Sequence, residues 1–591
     1  MRLPTLQSSF RRHGYALIIA LCFLSVSLAA YTSMVYWVSS NAKITKRNNL
    51  FNQSEAAAES VTESVMANMM RDFNNQSLSS ASSYQSSANL PATNGWPIYF
   101  SFSDTNGVAN TTTVSIGTVG WTNLPARYSG LLGLGAPCVI ASQATPQGVG
   151  DNLSATVAQN VWFGSIPIFQ FAIFYNLNLE INPGSPMTIN GRVHSNQNIY
   201  ATGAGSGSLL TFSTNVEAAY PGQVYTTSGP KDPRSPARSG YDVFNTPAQS
   251  GVSSLSMPIG TNNDPAVVRG ILDIPPAGID PITATGQSYE YNKADIILSN
   301  SSSGNLTAYY FNQYQTPNQV VIPMDVTNVI GTNVSTYYSF ATNVSFYDYR
   351  ESKTVKAVQL DVRSFNTWLT NAVNGGRAYT TANTTGTTIK SHDVNGIYVY
   401  NSITNTGTQL PAVRVVNGAQ LPPAGLTVVT PFPLYVKGDY NIQTNGSGNQ
   451  STTLGNTAYT RPAALMGDAV TILSSTWADT PGYSASARNP VSTTINAACL
   501  EGIVESDGTY YSGGLENFLR LLENWSGSTL TYNGSIVVLF PSKYATTPWG
   551  GGYYSVPTRA WGFDSNFRTQ ALLPPMTPQV RVTIRNGWAA W

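Results

Sequence analysis

Between Tyr15 and Val38 the chain runs for 24 residues without a formal charge and is apolar on every side of a helical wheel. At a rise of ~1.5 Å per residue such a helix reaches about 36 Å, enough for a hydrocarbon core ~30 Å thick. Ser25, Ser27, Thr32 and Ser33 interrupt the run, but their hydroxyls can bond carbonyls of the preceding turn and need not break it. Tyr31, Tyr36 and Trp37 gather at its far end, where amphipathic rings favour a membrane interface. Past this point the apolar positions narrow to a stripe. Val61, Val65, Met69 and Phe73 recur every fourth residue, and no Gly or Pro intervenes between Tyr15 and Phe73. The pattern predicts one continuous helix, a transmembrane segment over 15–38 followed by an amphipathic spine over 39–75.

Residues 76–95 are Ser-rich and lack hydrophobic periodicity, which reads as a linker. From 96 to 591 the pattern changes again: β-branched and aromatic runs such as Phe169-Gln-Phe-Ala-Ile-Phe-Tyr175 alternate with Gly, Asn and Pro, so a large β-rich region is predicted, divisible into two subdomains with the second from about 180. Gly191, Gly396, Gly438, Gly467, Gly502 and Gly534 each stand just before an apolar alternation, and from Gly438 onward they are spaced 29, 35 and 32 residues apart. An irregular period near that length suits the coils of a β-solenoid, and an open β-sandwich with repeated Asn-Gly turns is the alternative. Within this region Leu515, Phe518, Leu519, Leu522 and Trp525 share a helical stripe, with Gly527 placed to end it, so a helix over 514–527 is expected. Trp588 and Trp591 can dock back onto the body or meet a neighbouring subunit.

Composition narrows the function. Charged residues make up 10% of the 591 and the formal net charge is +1, so no basic field exists to hold a nucleic-acid backbone. Cys22 lies in the apolar run; Cys138 and Cys499 can either form one disulfide or remain as two buried thiols. His13, His194 and His392 stand apart from the cysteines, and no metal-ligand spacing is present. Asp439 and Asp468 follow matched glycines and could meet on stacked coils as an acid pair, yet Gly-Asp is ordinary turn chemistry. No catalytic residue, metal site or cofactor is assigned.

The first 14 residues carry Arg2, Arg11 and Arg12 and end in Gly14, a basic leader. A cleaved secretory signal ending near Ser27-Leu28-Ala29 and a plain uncleaved anchor both fit such a flank. Lys43, Lys46 and Arg47 beyond the span balance the leader's charge, so the positive-inside comparison does not orient it.

Gly14 followed by Tyr15-Ala16-Leu17-Ile18-Ile19-Ala20-Leu21, with Glu55-Ala-Ala-Ala-Glu59 in the continuing helix, resembles type IV pilins and the pseudopilins of type II secretion, most of all PilX-like minor pilins, over roughly residues 8–75. The resemblance implies cleavage by a prepilin peptidase between Gly14 and Tyr15, methylation of the new N-terminus, and packing of the helix against other pilin or pseudopilin subunits. Tyr15, Ala16, Leu17, Ile18, Ile19, Leu24 and Trp37 would form the membrane anchor, and Val61, Val65, Met69 and Phe73 the packing face. Most pilins carry glutamate as the fifth residue of the mature chain; here Ile19 stands there, which shifts the resemblance from a major to a minor subunit. Gly191-Arg-Val-His-Ser-Asn196 resembles segments of large PilX-like C-terminal regions. The expected product is a structural subunit of a pilus or secretion filament, single-pass in the cytoplasmic membrane, with its body in the periplasm or at the cell surface meeting polysaccharide or protein. A membrane-anchored carbohydrate-active or adhesive β-solenoid is the alternative.

Overall fold

The computed structural model describes residues 15–591 apart from 76–77, 93–95, 149–152, 204–208, 227–240, 258, 260–262, 312–318, 323, 331–332, 371–393, 481–487 and 508. Helix α1, Tyr15–Asn75, is unbroken over its 61 residues, as a stretch without Gly or Pro allows. Its C-terminal half lies on an antiparallel sheet. The two long strands of that sheet, Leu132–Pro146 and Ala155–Pro167, pair from Leu134 opposite Ser165 to Ala144 opposite Ala155. Three short strands, Phe100–Ser103, Thr113–Ile116 and Gly120–Asn123, line the outer edge of the first. On the other edge lies Gln579–Ala590, which comes from the far end of the chain.

Everything between Pro167 and Gln579 is therefore inserted between neighbouring strands of one sheet, and this insert is a β-solenoid. Its main ladder begins at Ile173–Tyr175 and winds through Val193–Ser195, Val216–Ala219 and Gln249–Val252, always in parallel. The segment 253–295 then passes along the outside to the opposite end. From there Ile296–Asn300, Gly396–Asn401, Leu426–Val429, Ala463–Met466, Ala498–Ile503 and Ile536–Pro541 wind back, again in parallel. The last of these pairs with the first strand, Ile536 opposite Ile173. The chain thus enters its own stack in the middle. An antiparallel pair, Leu306–Phe311 and Gln319–Ile322, covers the end beside Ile296–Asn300. Four of the returning strands follow Gly396 at Leu426, Ala463, Ala498 and Ile536, 30 to 38 residues apart. Parallel ladders rule out the sandwich alternative.

Side-chain alternation divides each rung between two cores. Ile536 and Val538 point into the solenoid with Ile173, Val193, Cys499 and Leu465. Val537 and Leu539 point outward and are covered by Leu255, Met257, Ile271 and Leu272 of the 253–295 segment and by Val580 and Val582 of the last strand. Asparagines close the interior turns. Asn533 Nδ2 donates to Asn496 Oδ1 at 2.9 Å, Asn300 Nδ2 to Asn401 Oδ1 at 3.0 Å, and Asn196 Nδ2 to Asn176 Oδ1 at 2.9 Å, each pair on successive rungs.

Two local expectations are corrected. The stripe Leu515–Trp525 is not a helix: a 3-10 turn, Leu515–Asn517, leads into a short strand, Arg520–Leu521, that joins a parallel ladder beside Val470–Leu473. All of its apolar side chains are buried, and a solenoid corner hides them without helical spacing. The Ser-rich stretch, where described, is docked and not free. It forms a short helix, Ala81–Gln85, and a 3-10 turn, Ser87–Asn89, tied to α1 by Ser64 Oγ donating to the Asn89 carbonyl at 2.8 Å. Cys138 and Cys499 are free thiols buried in separate cores, and burial raises the Cys138 thiol to about 11.

Candidate functional site: the exposed half-helix and its docking sheet

From Tyr15 to Val38 every large apolar side chain of α1 is at least 50% exposed, including Leu17, Ile18, Ile19, Leu24 and Trp37. No other part of the described protein covers this surface, and it is long and apolar enough to cross a membrane. Ala16 lies on the same uncovered surface. Two of the four hydroxyls within the run bond back as expected: Ser25 Oγ donates to the Cys22 carbonyl at 2.9 Å and Thr32 Oγ1 to the Leu28 carbonyl at 2.9 Å. A single apolar helix of this kind near the N-terminus fits single-pass anchoring. Gly14 and the rest of the leader lie outside the described residues, as does His392.

Burial begins at Leu50 and then follows the stripe. Ala57, Ala58 and Val61 sit on Phe102, Ala144 and Val157. Val65, Met66 and Met69 sit on Val114, Cys138, Ile140, Val161 and Phe163. Phe73 is half-buried at the end of the stripe, edge-on to Phe163 at 5.3 Å. Polar contacts lock the register: Gln159 Nε2 donates to Thr62 Oγ1 at 2.8 Å and Glu63 Oε1 at 2.9 Å, and Arg585 grips both Glu63 oxygens at 2.7 Å. Arg581 covers the Phe73 ring at 5.1 Å and donates to its carbonyl. Gln159, Arg581 and Arg585 were not foreseen, because a polar residue facing a helix from a distant strand leaves no mark in local periodicity. Trp588 and Trp591 are exposed by 50% and 61%, but the Trp591 backbone exchanges hydrogen bonds with Thr156 at 2.8 and 3.0 Å.

The acids considered in sequence serve the backbone. Asp468 is fully buried and accepts the N–H groups of Lys543, Tyr544 and Ala545 at 2.6 to 2.8 Å, with Arg269 Nη2 at 3.4 Å. Asp439 accepts the Thr494 N–H at 2.8 Å, and burial raises its carboxyl. His194 is buried on the outer face of the solenoid, stacked on Phe174 at 5.5 Å, with Nδ1 3.7 Å from Glu217. Burial works against the Glu217 carboxylate, but the nearby His194 ring and Arg192, which donates to both its oxygens at 3.1 and 2.6 Å, outweigh it and hold the group at about 2.

No family model and no curated protein sequence matches the chain. Among solved structures, the competence-associated pilin ComZ from Thermus thermophilus is similar over 81% of this chain and 87% of that one, at 8% identity and a TM-score of 0.26.

Proposed function

We propose that the protein is a minor pilin-like or pseudopilin-like structural subunit of a type IV pilus or type II secretion filament. The observation that carries this reading is the division of α1: one half with no cover at all, the other clamped by a sheet that the C-terminal strand completes. In the membrane the uncovered half meets lipid; in a filament it would meet the same half of other subunits. The solenoid, inserted between two strands of the docking sheet, then rides outside as the contact surface, and its role is structural and not catalytic. Prepilin peptidase is the expected processing partner, with Gly14 and Tyr15 flanking the cut, and the body is placed on the periplasmic or surface side. The test is intact mass and N-terminal sequencing of the protein purified from its native host. A methylated Tyr15 start is expected, and a start at Met1 or within the apolar run would sink the proposal.

A further inference from the structure

The two arms of the solenoid meet at a seam that is hydrogen-bonded in the main ladder, where Ile536–Pro541 pairs with Ile173–Tyr175. In another ladder, the edge strand Thr558–Phe563 of the returning arm lies beside Met187–Ile189 of the first arm, but the two belong to different sheets. On this side the seam widens into an open groove of about 760 Å³. Its walls are the 182–187 loop, the Tyr511–Glu516 turn and the Trp549–Arg559 stretch.

Three aromatic residues line the groove, Tyr511, Trp549 and Tyr554. Tyr511 holds the indole of Trp549 edge-on, centroids 5.9 Å apart. Gly513, at φ +90°, lets that ring lie close on the backbone: a Cβ there would come within 2.8 Å of Trp549 Cγ. Trp549 is partly buried, and the part of it left uncovered faces the groove. Arg559 is fixed by Nη2 donating to the Glu516 carbonyl at 2.8 Å and by its approach to the Trp561 ring at 5.6 Å. Among the described residues neither Arg559 Nη1 nor the Trp549 indole N–H donates a hydrogen bond, and Arg559 Nε is buried without a partner. The exposed hydroxyls of Ser185 and Thr558 lie on the same walls. The groove's two charges, Glu516 and Arg559, cancel. A flat ring beside open donors and hydroxyls, with no net charge, complements a pyranose, which offers an apolar face and a rim of hydroxyls. The free edges of Thr558–Phe563 and Met187–Ile189 also offer backbone to a peptide strand, but such a strand would need neither the ring nor the hydroxyls, so binding of an extended peptide that survives Trp549→Ala would overturn the sugar reading.

We infer that this seam groove binds a neutral oligosaccharide, one sugar ring lying on Trp549 and its hydroxyls reaching Arg559 and the indole N–H. The site belongs to the solenoid alone and does not depend on assembly of a filament. Binding by the solubilised monomer and processing at Tyr15 can therefore fail separately.

The experiment titrates the full chain, held in a detergent without a sugar headgroup, with cellohexaose, chitohexaose, maltohexaose and mannohexaose, read by calorimetry and tryptophan fluorescence. Saturable binding of at least one probe is expected, with Trp549→Ala weakening it about tenfold or more, as for a truncated aromatic anchor. Arg559→Lys should weaken it less, and Trp588→Ala, on the docking sheet, should leave it unchanged. Because Trp549 is partly buried against Tyr511 and Gly513, Trp549→Phe, which keeps a packed ring, is the control for folding and should retain most of the binding. Absence of saturable binding to every probe at millimolar concentration, binding confined to an acidic glycan such as polygalacturonate, or full affinity in Trp549→Ala would each overturn the proposal.

Discussion

Asn496 shows how much of this molecule rests on single buried polar side chains. It is nearly solvent-free, donates through Nδ2 to the carbonyls of Asn441 at 3.0 Å and Ser451 at 2.7 Å, and accepts from Asn533. Asn496→Ala should cost about 2–4 kcal/mol in denaturant unfolding, since it strands acceptors and a donor in a dry interior. A loss under about 0.5 kcal/mol would show that the ladder carries no weight. Such ladders are not legible in sequence, where Asn beside Gly reads as a turn. Glu290 makes a second case. Its carboxyl is fully buried, one oxygen bonded to Lys293 Nζ at 2.7 Å and the other without a hydrogen-bond partner. Burial raises it from 4.5 to about 7 against the pull of Lys293. A carboxyl raised in the folded state stays protonated there while the unfolded chain ionises, so stability is full below about 4.5 and declines as pH rises toward 7. The loss amounts to roughly 3 kcal/mol for this group. Glu290→Gln should flatten the stability profile across that window; parallel wild-type and variant profiles would contradict the assignment.

At the scale of elements, α1 was the most legible feature, because its signal is local: an uncharged run, then a four-residue stripe, with no breaker between them. The same rule misread 514–527. There the spacing of Leu515, Phe518, Leu522 and Trp525 matched a helix, but neighbouring coils supply ladder partners to that segment, and long-range pairing outweighs local period. Gly438 and Gly467 follow the last residue of a strand, Gly502 lies within one and Gly534 ends one, so their spacing reported the coil length without the register. The two halves of α1 differ in a measurable way. Val65 is fully buried against Val161 and Phe163. Val65→Asp would put an unpaired carboxylate into that contact, and a cost above about 4 kcal/mol is expected, enough to lift the helix off the sheet. Limited proteolysis should then cut between Leu50 and Asn75. Leu24→Ala, on the uncovered half, should leave the body's unfolding and cleavage pattern unchanged; equal protection of Val65→Asp and wild type would refute the docking.

The whole-molecule topology could not be read from sequence, because its defining contacts join residues far apart: Ile173 with Ile536, and Gly164 with Val582. Nothing local to either member of such a pair announces the other. The order of winding nevertheless has a testable consequence. In a solenoid each coil is stabilised by its neighbours, so protection should fall from the interior of the stack toward an uncovered end. Here the ends are unequal. Ile296–Asn300 is covered by an antiparallel pair, whereas Gln249–Val252 ends the parallel ladder with mostly exposed side chains. The chain's point of entry, Ile173–Tyr175, is interior, flanked by Val193–Ser195 and Ile536–Pro541 and buried on both faces. Hydrogen exchange should therefore be fastest among ladder amides at Gln249–Val252, and slowest at Val537, Val538 and the adjoining Ala498–Leu500. The slowest amides thus fall where two distant parts of the chain meet, so the seam closes last in sequence but is among the last places to open. Uniform exchange along the ladder, or faster exchange at Val537 than at Gln249–Val252, would mean that the two arms do not form one continuous stack.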